Sequence, residues 1–229
     1  MTAEHVTPEH EKQVAAAAAA SLVEDGMTLG LGTGSTVAHL LGALARRAPD
    51  VRCVATSPRT EVAAQRLGLR VVPFGSIDRF DLAIDGADQV AADGWLVKGG
   101  GAAHTREKVV AATADRFVVV VDSSKPVDHL RPPVPLELLP YGLASTLRRL
   151  AALGPVILRD VGESPDGGVI ADLHAPIGEP HALADRLGRV PGLVEHGLFG
   201  PEMVSAVVVG RGDAVEWRSQ APPAGAGTA

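Results

Sequence analysis

The apolar positions of this chain follow two spacings that alternate along it. Short apolar runs bounded by glycine, proline or charge predict strands: TLGLG, VRCVA, LRVVPF, DLAI, WLV and FVVVV. Between several of them, TGSTVAHLLGALARR, SPRTEVAAQRLG and AAHTREKVVAATAD carry apolar residues three or four apart and predict helices. A further helix is predicted from Thr7-Pro8, an N-cap followed by proline in the first turn, through an alanine-rich stretch to Gly26. This alternation holds to about residue 130. It predicts an α/β fold, a mainly parallel sheet with helices on both faces.

The pattern changes after KPVDHLRPPVP, where prolines cluster. PYGLASTLRRLAALG and EPHALADRLGRV predict helices, PVILRDV and GGVIADLHA a hairpin around a turn at 165–168, and GLVEHGLF a strand. Strands and helices no longer alternate strictly, which predicts a small α+β lobe. MVSAVVVG predicts a last strand that rejoins the main sheet. The expected organisation is a main α/β domain at 1–128, the small lobe at 129–200, a return to the main domain at 201–218 and a disordered tail at 219–229, SQAPPAGAGTA being of low complexity.

A chain of 229 residues with 46% hydrophobic side chains is long enough for a sizeable core. The formal net charge of -6 makes it a poor general binder of nucleic acid or anionic membrane, so an anionic ligand needs a local site. Aromatic content of 3% argues against a base-stacking platform. The single cysteine, Cys53, excludes a disulfide framework and a cysteine-rich zinc site. Seven of the eight histidines, His5, His10, His39, His129, His174, His181 and His196, show no zinc-ligand spacing. VAAAAAASLV is preceded by Glu4, Glu9 and Glu11 rather than by a basic region, so a helix of the mature protein is expected and not a signal peptide. No apolar run approaches the roughly 20 residues of a membrane helix. A cytoplasmic location is expected.

Four polar clusters each follow a predicted strand: Gly32-Thr33-Gly34-Ser35-Thr36, Asp85-Gly86-Ala87-Asp88, Lys98-Gly99-Gly100-Gly101 and Asp122-Ser123-Ser124-Lys125. In a parallel sheet such ends face one edge, where ligands bind. The 32–36 turn offers backbone N–H groups, two hydroxyls and a helix start, which favours a phosphate; the competing reading is an ordinary glycine-rich strand–helix turn. A dinucleotide fingerprint from Gly30 would need glycine where Ser35 stands, and a P-loop lysine is absent. Glu107 can act as a general base for enolisation, or be one more solvated charge beside Arg106 and Lys108. Asp85 and Asp88 can exchange protons with sugar hydroxyls or merely cap turn amides. Lys98 and Lys125 can neutralise phosphate or a developing enediolate, or be surface charges.

Taken together, GLGTGSTVAHL, DLAIDGAD, LVKGGGAAHTREKVVA and VVVDSSK resemble the type A ribose-5-phosphate isomerase family. PVPLELLP, ADLH and VPGLVEHGLF extend the resemblance from about residue 9 to about residue 210. The resemblance implies interconversion of D-ribose 5-phosphate and D-ribulose 5-phosphate through an enediolate, in the non-oxidative pentose phosphate branch, with no metal or organic cofactor. It implies that Glu107 moves a proton between C2 and C1, that Asp85 assists ring opening and hydroxyl proton traffic, and that Asp88 lies in the substrate site beside Gly86 and Ala87. Lys98 and the backbone of Gly99, Gly100 and Gly101 would bind the sugar and stabilise oxyanion charge. Thr33, Gly34, Ser35 and Thr36 would form the other substrate loop, with Lys125 and Lys12 adding positive charge. The expected partners are the pentose phosphate and further copies of the chain, in a homodimer or homotetramer.

Two positions depart from the family pattern. Gln89 stands where an acid is usual, and His104 where an apolar residue is usual. His104 and Glu107 lie one helical turn apart. A protonated His104 would lower the Glu107 pKa; the alternative is packing at the pocket rim or against a neighbouring subunit. Two other readings compete with the isomerase: a non-catalytic sugar-phosphate sensor, and an enzyme of similar fold such as an amino-sugar phosphate deaminase or a CoA transferase. The presence of Glu107, Asp85 and Lys98 speaks against the sensor, and Glu107 after KGGG against the other enzymes.

Overall fold

A computed structural model describes residues 7–219. Thr7 caps the first helix, α1 (Pro8–Ala20), its side chain accepting from the His10 N–H at 3.3 Å. The helix stops six residues before Gly26, at a Ser21 whose Oγ donates to the Ala18 carbonyl at 2.6 Å and closes the last turn. Then come β1 (Thr28–Leu31), α2 (Ser35–Arg47), β2 (Arg52–Ala55), α3 (Pro58–Arg66), β3 (Arg70–Val71) and β4 (Leu82–Asp85). The middle of the chain forms β5 (Gln89–Ala91), β6 (Leu96–Val97), α4 (His104–Thr113), β7 (Phe117–Asp122), β8 (Pro126–Val127) and β9 (Val134–Leu138). The remainder forms α5 (Leu143–Leu150), β10 (Val156–Glu163), β11 (Val169–Leu173), α6 (Pro180–Gly188), β12 (Leu193–His196), β13 (Leu198–Phe199), β14 (Ala206–Arg211) and β15 (Ala214–Ser219).

The chain divides into two compact units. The first comprises the described residues of Met1–Gly86, Val110–Lys125 and Pro201–Ala229; the second comprises Ala87–Val109 and Pro126–Gly200. The division at 128 and 129 expected from the sequence therefore differs over 87–109, which group with the second unit. The reason is strand pairing: β5 and β6 form a hairpin and pair with β8 and β13, not with the parallel sheet. The chain re-enters the first unit at Pro201. The tail expected over 219–229 lies outside the described residues except for Ser219, which ends β15.

The first unit holds a seven-stranded sheet in the order β15-β14-β7-β4-β1-β2-β3. All neighbours are parallel except β14 and β15. This is the expected α/β architecture, and β14 is the expected returning strand. β1, β4 and β7 are buried along their whole length, which is why they appear in the sequence as continuous apolar runs. Ala15, Ala16, Ala19 and Ala20 are fully buried on one face of α1, their small side chains allowing close packing. Truncating a fully buried leucine of this core, such as Leu31 or Leu40, costs about 2–5 kcal/mol.

The second unit holds two four-stranded sheets, β10-β11-β9-β12 and β13-β6-β5-β8. The predicted hairpin is present as antiparallel β10 and β11. Its core joins Leu136, Leu138, Leu150, Leu173 and Leu187. No helix among the described residues is long and apolar enough to cross a membrane.

Candidate active site

Of the four polar clusters, those after β1 and β7, and the Asp85-Gly86 part of the one after β4, stand at the carboxyl edge of the first unit's parallel sheet. The fourth does not: Lys98 follows β6, a strand of a separate sheet in the second unit, so the expectation of one shared edge is corrected at that point. Each unit carries its own glycine-rich turn, with a buried carboxylate among the candidate residues beside it.

In the first unit the carboxylate is Asp85, at the end of β4 and 3% exposed. One of its oxygens, Oδ1, accepts the Thr33 N–H at 3.0 Å and the Gly86 N–H at 2.7 Å. The neighbouring strands β1 and β4 bring these groups together, Leu31 being paired with Ile84. Gly32 is required here, because a Cβ would fall 1.8 Å from Asp85 Oδ1. Thr60 Oγ1 donates to the Gly32 carbonyl at 2.9 Å, and the Thr33 and Thr56 hydroxyls lie 2.9 Å apart. Gly34, at φ +125°, caps α2 with no side-chain hydrogen bond, and a Cβ there would meet nothing within 4 Å. The first-turn N–H groups of α2, near Ser35 and Thr36, therefore meet no capping side chain, and the space at Gly34 is open. Asp122 Oδ1 accepts from the Ser124 N–H at 2.9 Å and from its hydroxyl, shaping the turn that ends in Lys125. Glu11 joins α1 to this turn, accepting from Ser123 N–H and from Gly212 N–H at 2.9 Å each. Burial opposes the Glu11 charge, but these hydrogen bonds hold its carboxyl below the ordinary range. Lys12, one residue on, lies 3.2 Å from Glu9 Oε2, whose other oxygen is 2.6 Å from His39 Nε2.

In the second unit the carboxylate is Glu107, on the first turn of α4. Its Oε2 lies 3.0 Å from Lys98 Nζ, and both side chains are 3% exposed. Two opposite charges withdrawn from water at this depth require each other. Lys98 is held through its backbone, its N–H donating to Gly197 O at 2.8 Å, and its ammonium stands 5.3 Å from the centre of the buried Phe199 ring. Lys108 approaches the same ring to 4.9 Å and is anchored by Glu195 and the His196 carbonyl, 2.6 Å each. The Gly100 N–H donates to Asp88 Oδ2 at 2.7 Å. That hydrogen bond ties the 99–101 turn to Asp88.

The two departures from the family pattern resolve differently. Gln89 donates to the Arg131 carbonyl at 2.7 Å and accepts the Arg131 N–H at 2.8 Å, a two-way contact that an ionised acid cannot make. His104 is wholly buried, and neither ring nitrogen makes a well-aligned hydrogen bond, although the Glu195 backbone lies close enough to favour the charged form. Its ring packs beneath Gly99, where a Cβ would meet Nδ1 at 2.8 Å. Burial pushes its pKa down to about 4, outweighing the nearby Glu195 backbone. His104 is therefore neutral at neutral pH and carries no charge to act on Glu107. The proposed coupling is corrected, and so is the alternative of packing at a rim.

Sequence reasoning did not single out Arg159, which pairs with Asp172 through two bonds of 2.7 and 2.6 Å and donates to the Gly99 carbonyl at 2.7 Å. Nor did it find Glu137, a buried carboxylate that accepts from the Thr105 and Ser164 hydroxyls. Among the described residues no three His, Cys, Asp or Glu side chains group to hold a metal.

Comparison with known proteins bears on this arrangement. Residues 52–214 match the family described as ribose 5-phosphate isomerase A (phosphoriboisomerase A). The ribose-5-phosphate isomerase A of Halobacterium salinarum is 48% identical over 219 residues, 92% of this chain and 96% of its own. A ribose 5-phosphate isomerase A structure from Neisseria gonorrhoeae superimposes with a TM-score of 0.91 at 29% identity, covering 95% of this chain and all of that one. A D-ribose-5-phosphate isomerase in complex with phospho-erythronic acid superimposes with a TM-score of 0.88 at 32% identity, covering 93% and 99% of the two chains.

Proposed function

The chain belongs to the ribose 5-phosphate isomerase A family and interconverts D-ribose 5-phosphate and D-ribulose 5-phosphate, and from that premise we propose that Glu107 is the base of the reaction. The buried Lys98–Glu107 pair carries the reading. Enolisation needs a carboxylate that can take a carbon-bound proton and return it to the neighbouring carbon. It also needs a fixed positive charge where the oxyanion forms. In the open-chain aldose, Glu107 removes the proton from C2 and the electrons move to the C1 oxygen. Lys98 stabilises the resulting enediolate. A proton passes from the C2 oxygen to the C1 oxygen with the help of Asp85, which also serves ring opening. Glu107 then protonates C1, leaving the ketone at C2.

In this proposal Asp88 and the chain around Gly86, Ala87, Gly99, Gly100 and Gly101 contact the same substrate. Thr33, Gly34, Ser35 and Thr36 bind it from the 32–36 turn, aided by Lys125 and Lys12. Phospho-erythronic acid, bound by a relative, joins a phosphate to a carboxylate and so resembles the charge of an enediolate phosphate. We further place the enzyme in the cytoplasm as a homodimer or homotetramer. Exposed Ile157, Leu158 and Val161 on the edge strand β10 favour an oligomer, and a native mass equal to one chain would refute it.

The test is an assay of purified protein with ribose 5-phosphate, with and without a chelator. Ketopentose should form equally in both, and Glu107→Gln should lose about 10²–10⁴ of the turnover while still binding substrate. Near-normal turnover in that variant would remove Glu107 from the role.

A further inference from the structure

We propose that Arg159, oriented by Asp172, is a positioning residue for the Lys98–Glu107 pair and acts through the Gly99 carbonyl without touching substrate; this rests on the catalytic reading above. The peptide group between Gly99 and Gly100 is held at both ends. Its carbonyl accepts from Arg159 Nη1 at 2.7 Å and from the Ala102 N–H at 3.1 Å, and its N–H donates to Asp88 at 2.7 Å. Gly99 adopts φ +113°, and a Cβ there would fall 2.8 Å from both His104 Nδ1 and Pro135 Cβ. The bare backbone is thus seated in one orientation. Arg159 is itself fixed: its Nε and Nη2 grip both oxygens of Asp172 on the adjacent strand, which fixes the plane of the fork and aims Nη1 at the carbonyl. Both side chains are largely shielded, at 16% and 17% exposure.

The consequence runs in two directions from one carbonyl. Lys98 is bonded to Gly99, whose carbonyl belongs to this peptide, so a turn of the peptide is passed to Lys98 and moves the ammonium. The Ala102 N–H bond closes the turn that opens α4, so the same movement shifts Glu107. A Lys98–Glu107 spacing of 3.0 Å then depends on a guanidinium sixty residues further along the chain.

The test compares Arg159→Met, Arg159→Lys and Asp172→Asn with the wild type on ribose 5-phosphate. Arg159→Met should lower kcat by about 10- to 100-fold while KM stays within about threefold. Inhibition by phospho-erythronic acid should weaken with kcat/KM, Arg159→Lys should restore part of the loss, and Asp172→Asn should add nothing in the Arg159→Met background. Independently of activity, amide hydrogen exchange at Gly100 and Ala102 should quicken by at least about tenfold in Arg159→Met. Wild-type kcat in a folded Arg159→Met protein, or unchanged exchange at both amides, overturns the proposal while leaving the isomerase reading intact. A wild type that forms no ketopentose overturns the isomerase reading instead. Should Arg159→Met fail to fold, wild-type kcat in both Arg159→Lys and Asp172→Asn overturns the proposal.

Discussion

The two glycine-rich turns look alike in sequence and differ in construction. The 32–36 turn is held from below, by a buried Asp85 that takes the Thr33 and Gly86 amides, and is left open above, at Gly34 and the uncapped start of α2. The 99–101 turn is gripped on several sides, by Asp88, Arg159, His104 and Pro135. An open turn leading into a helix start without a side-chain cap suits the binding of a phosphate. A gripped turn suits the fixing of a lysine and a carboxylate at one distance.

The contrast predicts unequal responses to the same small change. Gly32→Ala should have the largest effect, about a hundredfold loss in kcat/KM, because the new Cβ displaces a carboxylate that is buried and has nowhere to go. Gly100→Ala should cost less: its Cβ would come within 2.7 Å of Asp88, but that carboxylate is exposed and can move aside at the cost of its hydrogen bond to the Gly100 N–H. Steady-state kinetics of the two variants rank them, and equal losses would break the comparison.

His104→Leu should stabilise the protein on the acid side. The imidazole has a folded pKa of about 4 against an unfolded value of 6.5, so the unfolded chain binds more protons between these values. Stability is therefore lost as pH falls through that window, by about 2 kcal/mol between pH 7 and pH 5 from this group alone. Urea unfolding at the two pH values should show that loss reduced in His104→Leu. An unchanged pH dependence would mean that His104 is solvated or paired. The smallest effect is expected for Gln89→Glu, about 1 kcal/mol, because only the donor to the Arg131 carbonyl is lost. Thermal unfolding checks this, with turnover per folded molecule unchanged.

Much of this was legible in the sequence where the physics is local. Buried parallel strands appear as apolar runs, and Thr7 and Ser57 announce their helices by capping them. The catalytic candidates stood out because the motif that carries them is contiguous. Local signals failed where partners are distant. β9 was hidden by Pro135, which breaks a strand pattern yet sits in a central strand, its carbonyl taking the Gly197 N–H at 2.7 Å. β15 was hidden by a polar, low-complexity neighbourhood, although the two-residue Gly212-Asp213 link is a hairpin signal. The β5–β6 hairpin looked like one more element of the parallel sheet, because an apolar pair such as Leu96-Val97 carries no mark of its partner. Arg159 could not be found at all, since its partner carbonyl lies sixty residues away and backbone leaves no trace in residue type.

The central claim is that Glu107 takes the proton from C2, and isotopic exchange reports that step directly. Ribose 5-phosphate carrying deuterium at C2 should be turned over by the wild-type protein with deuterium moved to C1 or lost to water, and with a slowed rate. With Glu107→Gln saturated by the same substrate, deuterium should leave C2 at least about a hundredfold more slowly. Undiminished loss of the label in Glu107→Gln would contradict the account.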